Sequence, residues 1–246
     1  MTQERRTAIV TGATGGIGLA TARRLLRDGA CVMLAARHQD ALDDTARTLA
    51  ADAPAGRIAT IVCDVAQEDQ VIAAVEATIR RFGRWDVVVN NAGVMHFKPI
   101  EEQDASDWRA TLDVDLLGAF FFIKQAFLKM GKGGAVVNVA SVHALSTGPL
   151  VAPYAAAKAA LLSLTRSASI EGKPKGIRVN AVLPGAIDTP MLWENPNVKS
   201  GTETVHKEDV GTPDEVAATI AFLAGSDAGF VTGASLLADG GRLARL

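Results

Sequence analysis

Short apolar runs alternate with longer amphipathic segments along the whole chain. Continuous runs rich in β-branched residues are typical of buried strands. The strands predicted in this way are Thr7–Val10, Cys31–Ala35, Ile58–Cys63, Val87–Asn90, Ala135–Ala140, Arg178–Leu183 and Ser235–Ala238. The segments between them have helical spacing over 16–28, 40–51, 68–82, 104–130, 153–171 and 213–224. Apolar strands separated by helices predict an α/β fold, a doubly wound parallel β-sheet with helices on both faces.

Two helix starts and one irregular stretch complete this outline. Asp104 is placed to begin one helix, and Thr212 can cap another whose first turn contains Pro213. Residues 186–211 show little periodicity, and a loop of this length in a compact domain is usually functional. We therefore expect a single domain over residues 1–246, with 186–211 as a lid over the substrate.

Composition and charge exclude several classes of protein. The 246 residues include 25 basic and 27 acidic side chains, for a net charge of −2 without a block of either sign. This balance argues against a nucleic-acid partner or a charged membrane surface. The N-terminus is charged and no apolar stretch reaches membrane-spanning length, so we expect a cytoplasmic protein. Cys31 and Cys63 fall within strands and the four histidines are scattered, so we expect neither a disulfide nor a metal site.

Most of the unusual residues follow directly after a predicted strand. Ligands of an open parallel sheet bind outside the carboxyl ends of its strands, so these residues are expected to share one edge. In strand order they are the run Thr11–Gly18, Arg37, Asp64 with Val65, the run Asn91–Gly93, Ser141, and Pro184 with Gly185. Gly12, Gly16 and Gly18 allow a tight turn and the close approach of a pyrophosphate to a helix N-terminus. An ordinary glycine-rich turn is the competing interpretation.

Tyr154 and Lys158 lie four residues apart in a helical pattern, which places their side chains on one helix face. A fixed positive charge near a phenol favours its ionised form and lowers its pKa toward the working range of an acid/base group. Ser141 ends the fifth strand, where its hydroxyl can face the same reacting oxygen. A Tyr–Lys pair on a solvated helix face is the competing interpretation, and the other motifs favour chemistry.

Together these motifs resemble the classical short-chain dehydrogenase/reductase family over essentially the whole chain. The shared motifs are the TGxxxGIG loop Thr11–Gly18, the NNAG run Asn90–Gly93, Ser141, the YxxxK pair, Pro184-Gly185 with Thr189 downstream, and Asp239–Gly241. The resemblance implies a Rossmann-like sheet of about seven strands in the order 3-2-1-4-5-6-7. It also implies a homotetramer, and an oxidoreductase that interconverts a carbonyl and a secondary alcohol by hydride transfer.

The resemblance further implies roles for individual residues. Tyr154 is the expected general acid/base, Lys158 binds the nicotinamide ribose and lowers the tyrosine pKa, and Ser141 orients the carbonyl. The expected cofactor contacts are Gly12, Thr14, Gly15, Gly16, Ile17, Gly18, Arg37, Asp64, Val65, Asn91, Ala92, Gly93, Tyr154, Lys158, Pro184, Gly185, Ile187 and Thr189. Asp64 suits the adenine amino group, with a helix cap as the alternative.

One catalytic position departs from the family pattern. The family helix usually reads V-N-L-x-G, with an asparagine that holds a water of a proton relay, whereas this chain has Asp115 there. An ionised carboxylate accepts hydrogen bonds but does not donate them. We expect Asp115 to retain this relay role, or to pair with Lys158 and draw its charge away from Tyr154. A helix residue without a catalytic role is the remaining alternative.

Arg37 determines the expected cofactor. An NAD-binding sheet usually has an acidic residue after its second strand. Here Ala36 occupies that place and Arg37 follows, with a planar guanidinium suited to a 2′-phosphate. The family's second basic residue is replaced by Gly15. The sequence favours NADP(H), with NAD(H) as the alternative, and a solvent-exposed Arg37 without a ligand is the competing interpretation.

The substrate itself is not specified by any motif. The expected substrate contacts are Ser141, His143, Leu150 and Trp193, although His143 and Trp193 have purely structural alternatives. The pattern resembles both 3-oxoacyl-thioester (acyl carrier protein) reductases and sugar or polyol dehydrogenases of the family. A cofactor-binding scaffold with weakened catalysis, marked by Asp115, is the alternative from a different class. The intact Ser141, Tyr154 and Lys158 favour the enzyme.

Overall fold

The computed structural model describes residues 5–51 and 53–245, and their strands form a single parallel sheet. The strands are β1 Thr7–Thr11, β2 Cys31–Ala36, β3 Ile58–Val62, β4 Val87–Asn90, β5 Ala135–Val139, β6 Arg178–Pro184 and β7 Ser235–Ala238. Their order is β3-β2-β1-β4-β5-β6-β7. The order reverses beside β1, which pairs in parallel with both β2 and β4. The predicted doubly wound sheet and its strand order are confirmed.

Helices cover both faces of this sheet. The longer ones are α1 Gly16–Arg27, α2 Gln39–Ala50, α3 Glu68–Phe82, α4 Ala105–Leu112, α5 Gly118–Lys129 and α6 Ala152–Gly172. They are followed by the short α7 Pro190–Trp193 and α8 Pro196–Lys199, and by α9 Pro213–Ala224. On one face Leu26 and Ile220 pack in a core with the sheet, and on the other Phe122 and Trp85 do so. Burial of apolar side chains on both faces explains why the strands are almost continuously apolar.

The single helix predicted over 104–130 is wrong in its middle. Residues Asp113–Leu117 form a wider, π-helical turn between α4 and α5. At the start, the side chain of Asp104 accepts from the backbone N–H of Asp107 in a capping box, as the sequence indicates. Gly118 follows the turn, and a Cβ there would lie 2.8 Å from the side chain of Val65. The distorted turn therefore sits where α5 must pass close to the loop after β3.

The irregular stretch 186–211 is a loop whose two ends are joined. Ile187 and Gly211 form an isolated parallel bridge. The Gly211 N–H donates to the carbonyl of Ala186 at 2.9 Å, and the Asp188 N–H donates to that of Gly211 at 2.9 Å. Between these ends lie α7 and α8, which the periodicity did not predict. Cys31 and Cys63 are buried and free, as expected.

Candidate active site

The carboxyl ends of the strands surround a cavity of about 530 Å³. Its wall brings together many of the residues that the sequence singles out. These are Gly12, Gly15, Gly16, Ile17, Asn91, Ala92, Gly93, Ser141, His143, Tyr154, Lys158, Pro184, Gly185, Ile187 and Thr189. The expected clustering at one edge of the sheet is therefore present. Among the described residues, no group of three or more His, Cys, Asp or Glu side chains is placed to hold a metal ion.

The glycine loop between β1 and α1 forms one end of this cavity. Gly12 and Gly16 have φ values of +61° and +49°, which favour glycine. A Cβ on Gly18 would lie 2.2 Å from the carbonyl oxygen of Gly12, so Gly18 permits the turn itself and does not line the cavity. A Cβ on Gly15 would meet nothing within 4 Å. The loop thus leaves an open cradle at a helix N-terminus, and these residues fit the pyrophosphate of a dinucleotide.

Asn91 fixes the end of β4 against this loop. Its side-chain amide donates to the carbonyl oxygens of Thr11 and Gly12, at 2.9 and 3.2 Å. In return the hydroxyl of Thr11 accepts from the backbone N–H groups of Asn91 and Ala92, both at 2.9 Å. The NNAG run is therefore more than a turn, because it shapes the floor of the cavity.

A buried polar chain holds α6 in register with the sheet. The side-chain amide of Asn90 donates to Asn138 at 2.8 Å, and that of Asn138 donates to the hydroxyl of Thr165 at 2.9 Å. Asn138 and Thr165 are fully buried, and buried polar groups that satisfy one another specify a unique packing. This chain fixes the position of the helix that carries Tyr154 and Lys158.

Tyr154, Lys158 and Ser141 are brought together by α6 and by the end of β5. All three are buried. The ammonium of Lys158 lies 5.4 Å from the centre of the Tyr154 ring and donates to the carbonyl of Val139 at 3.1 Å. The hydroxyl of Ser141 accepts from the His143 N–H at 3.2 Å, and the ring of His143 stands edge-on to that of Tyr154 at 5.9 Å.

Burial and charge act on the pKa of Tyr154 in opposite directions. Burial raises it, the ammonium of Lys158 lowers it, the carboxylate of Asp115 raises it, and a hydrogen bond with Ser141 lowers it, so that the pKa lies above its ordinary value. For Lys158, burial lowers the pKa, but Asp115 and Tyr154 raise it above the ordinary value. The ammonium therefore stays charged, and the phenol stays protonated, at neutral pH.

Asp115 projects from the π-helical turn toward Lys158. One carboxylate oxygen, Oδ1, lies 2.9 Å from Nζ of Lys158, and the other, Oδ2, accepts from the Val94 N–H at 2.9 Å. Asp115 therefore pairs with Lys158, which is one of the alternatives raised by the sequence, and the relay role stays a prediction.

A second, smaller cavity of about 150 Å³ continues past the glycine loop. Arg37, Asp64, Val65 and Thr14 lie on its wall. The carboxylate of Asp64 accepts from the Ala66 N–H at 3.1 Å. This contact lies in the turn before α3, whose N-cap is Gln67, so the alternative in which Asp64 caps the helix is wrong. Gly12, Ala92 and Gly93 line both cavities. The two spaces are therefore adjacent.

Two of the residues predicted to contact the substrate do not line the larger cavity. Leu150 and Trp193 are not among the residues that line it. The indole N–H of Trp193 instead donates to Asp188 at 2.7 Å and the residue is half-exposed. Leu150 has a φ of +70°, at the turn before α6. The prediction that Leu150 and Trp193 contact the substrate stays a prediction. His143 does line the cavity.

Several polar residues of the cavity wall were not predicted from the sequence, among them Asn195, Glu203 and Arg242. Arg242 donates to Glu203 at 2.6 Å, which ties the turn after β7 to the loop 186–211. The signal for Arg242 was its place directly after the closing Asp239–Gly241 motif. No pattern marked Glu203, because its partner lies 39 residues further along the chain.

Comparison with known proteins agrees with this geometry. A family model described as enoyl-(acyl carrier protein) reductase matches residues 12–242. The chain is 42% identical over 243 residues to cis-4-hydroxycyclohexanecarboxylate dehydrogenase of Sinomonas cyclohexanicum, covering 96% of each chain. It is 39% identical over 250 residues to L-rhamnose 1-dehydrogenase (NAD(P)(+)) of Azotobacter vinelandii, covering 98% of each. The crystal structure of levodione reductase superposes with a TM-score of 0.91 at 34% identity, covering 98% of both chains.

The relatives that match this chain along its whole length are dehydrogenases and reductases of alcohols and carbonyls. The chain belongs to the classical short-chain dehydrogenase/reductase family and is an oxidoreductase of that family.

Proposed function

We propose that this oxidoreductase uses NADP(H) to interconvert a carbonyl and a secondary alcohol, with Tyr154 as the general acid/base. One observation carries the proposal: Tyr154, Lys158 and Ser141 lie buried on the wall of the same cavity that the glycine loop closes. The side chains on this wall would be close to any dinucleotide that the glycine loop holds. Exclusion of water strengthens each electrostatic interaction there.

The proposed roles follow from the contacts of each side chain. Bound NADP(H) would supply the hydride in reduction and accept it in oxidation. In reduction, the Tyr154 hydroxyl donates its proton to the carbonyl oxygen, and in oxidation the phenolate takes the proton of the alcohol. The Ser141 hydroxyl donates to the same oxygen and holds it in place. The ammonium of Lys158 stabilises the phenolate that remains after the proton has left.

The preference for NADP(H) rests on the end of β2. Arg37 lies on the wall of the second cavity with an exposed side chain, and the acidic residue expected for NAD is absent from this wall position, where Ala36 stands. An arginine fork suits the 2′-phosphate. NAD(H) remains the second candidate, since Gly15 lacks the other basic side chain and one relative carries NAD(P)(+) in its name.

We propose a ring-bearing secondary alcohol, or the corresponding cyclic carbonyl compound, as the substrate. The names of two relatives denote a hydroxycyclohexane carboxylate and a sugar. The wall of the cavity includes both apolar and polar side chains, among them Met95, Leu192 and Leu243 and also Thr202 and Glu203. A ring with apolar faces and polar substituents fits such a wall. Acyl thioesters, the alternative raised by the sequence, form a second group for testing.

A spectrophotometric screen tests this proposal. Purified protein is mixed with each of NADPH, NADH, NADP⁺ and NAD⁺ and with panels of cyclic alcohols, cyclic ketones, sugars and acyl thioesters, and the nicotinamide absorbance is followed. We expect turnover with cyclic compounds and faster reaction with the phosphorylated cofactor. The Tyr154→Phe variant is the matched control. No turnover with any panel, together with tight cofactor binding, would instead favour a cofactor-binding scaffold.

We also propose that the protein is a homotetramer in the cytoplasm. Several large apolar side chains remain exposed on the single chain, and such patches mark interaction surfaces. They include Phe120 and Leu128 on α5, Ile170 on α6, and Phe230 and Leu237 at the β7 edge. Light scattering coupled to gel filtration should give a mass four times that of the chain. A monomeric mass would contradict the assembly without affecting the catalytic proposal.

A further inference from the structure

Asp115 is held in the interior by contacts that leave its carboxylate no exposure to solvent. The Val94 N–H fixes Oδ2, and Oδ1 faces the ammonium of Lys158 at 2.9 Å. Within the described part of the chain no donor reaches Oδ1 in good hydrogen-bond geometry, so the contact with Lys158 is an ion pair. A buried carboxylate beside a buried ammonium is strongly coupled to it, because little solvent screens the two charges.

Gly93 makes room for this ion pair. A Cβ at that position would lie 2.8 Å from Oδ1 of Asp115 and 3.4 Å from Nζ of Lys158. A side chain at Gly93 would therefore clash with the carboxylate of Asp115 and touch the ammonium of Lys158. The NNAG run therefore lines the cavity and also leaves space for the contact between Asp115 and Lys158.

The charges around Tyr154 come from few groups. Lys158 and Asp115 are the charged residues that act on the phenol, and the neutral partners are Ser141 and the edge-on ring of His143. Glu203 and Arg242 act on His143 and pair with each other. The ammonium and the carboxylate carry opposite charges, so together they present Tyr154 with a nearly neutral pair.

We propose that Asp115 is a positioning residue that gives Lys158 a permanent counter-charge, so that Tyr154 faces an ion pair and not an isolated ammonium. This inference rests on the proposed role of Tyr154 as the acid/base. The carboxylate holds the ammonium of Lys158 in place. It also offsets the field that would make the phenol more acidic, so the phenol remains a proton donor over a wider range of pH. Carbonyl reduction is thereby favoured at neutral pH, and alcohol oxidation requires a more alkaline solution.

The chain offers a direct test, because Tyr154 is its single tyrosine. Ionisation of a phenol changes its near-ultraviolet absorbance, so a pH titration of the full-length protein reports Tyr154 alone and needs no substrate. The titration is run without cofactor and with saturating NADP⁺. The Tyr154→Phe variant should lose the absorbance change, which establishes that the signal belongs to this residue.

Asp115→Asn removes the charge while keeping the shape of the side chain. Loss of the negative charge near Tyr154 makes the phenolate easier to form. The titration of Tyr154 should therefore move to lower pH than in the wild type. Asp113→Asn, in the same π-helical turn, is the matched control and should leave the titration unchanged. If Asp115→Asn does not fold, as judged by circular dichroism, Asp115→Ser removes the same charge with a smaller group.

A titration midpoint that stays the same, or moves to higher pH, in the Asp115 variants would overturn the proposal. Its failure is separate from failure of the proposed function. Retained turnover in Tyr154→Phe would remove the acid/base assignment, whereas the tyrosine titration would still show whether Asp115 shares the charge of Lys158. For the wild type and Asp115→Asn, the pH dependence of kcat/KM for alcohol oxidation should shift in the same direction as the absorbance.

Discussion

The ammonium of Lys158 lies 5.4 Å from the centre of the Tyr154 ring, with both side chains buried on the inner face of α6. The four-residue spacing places them one helical turn apart. In this geometry the positive charge acts on the phenol without forming a bond to its ring, so the hydroxyl stays available to a substrate. This relationship is the basis of the first prediction.

Tyr154→Phe should lower turnover by about 100-fold or more, the scale of general acid/base catalysis. The ring remains to fill the same space, while the transferable proton is lost. The measurement is the steady-state rate with the best compound from the substrate screen. Fluorescence titration with NADPH should give nearly the same affinity as the wild type. Equal turnover in the two proteins would show that Tyr154 is not the acid/base.

Arg37→Ala should weaken the binding of NADPH much more than that of NADH, because only NADPH carries the 2′-phosphate. A charge-assisted hydrogen bond contributes about 1.5–3 kcal/mol, and solvent screening of the exposed guanidinium places the effect near the lower value, about tenfold in affinity. Calorimetric titration of each cofactor measures the two losses. Arg47→Ala, an exposed arginine on α2 paired with Asp44, is the control. Equal losses for both cofactors would contradict the assignment.

The sheet and the close approach of Tyr154 and Lys158 were predictable because their signals are local. Continuous apolar strands, the glycine turn and the spacing of Tyr154 and Lys158 depend on neighbouring residues only. The break at Asp113–Leu117 was not predictable in this way. A π-helical turn changes the helical repeat by about one residue, and the apolar spacing of the segment hardly differs from that of a continuous helix.

Part of the wall of the larger cavity could not be predicted because contacts between distant residues build it. Trp193 lies in the loop that was expected to cover the substrate, but its ring is directed by a hydrogen bond to Asp188. Glu203 reaches the wall through its ion pair with Arg242. Such pairs leave no periodic trace in the sequence, so their members could not be recognised before the fold was known.

Gly18→Ala should destabilise the protein and impair cofactor binding, because the new Cβ would lie 2.2 Å from the carbonyl oxygen of Gly12 and 2.6 Å from the amide of Asn91. Backbone atoms must shift to relieve such a contact, and overpacking of this kind costs about 1–3 kcal/mol. Gly15→Ala is the matched control in the same loop. Its backbone is extended, and a Cβ there meets nothing within 4 Å. Thermal unfolding of both variants should show a lowered Tm for Gly18→Ala alone, and equal values would contradict the steric argument.

The last prediction concerns His143, whose pKa is lowered mainly by burial, while Glu203 raises it and Arg242 lowers it. The unfolded chain binds the proton near the ordinary value of 6.5, before the folded protein does so. Protonation therefore favours the unfolded chain, and the folded state loses stability as pH falls below that value, until the lower pKa of the folded state is reached.

His143→Gln removes this contribution. Urea unfolding at a series of pH values from about 7 to about 5 should show a smaller loss of unfolding free energy for His143→Gln than for the wild type. His38→Gln, at an exposed histidine, should follow the wild type. Parallel curves for all three proteins would show that His143 titrates in the folded protein as it does in the unfolded chain.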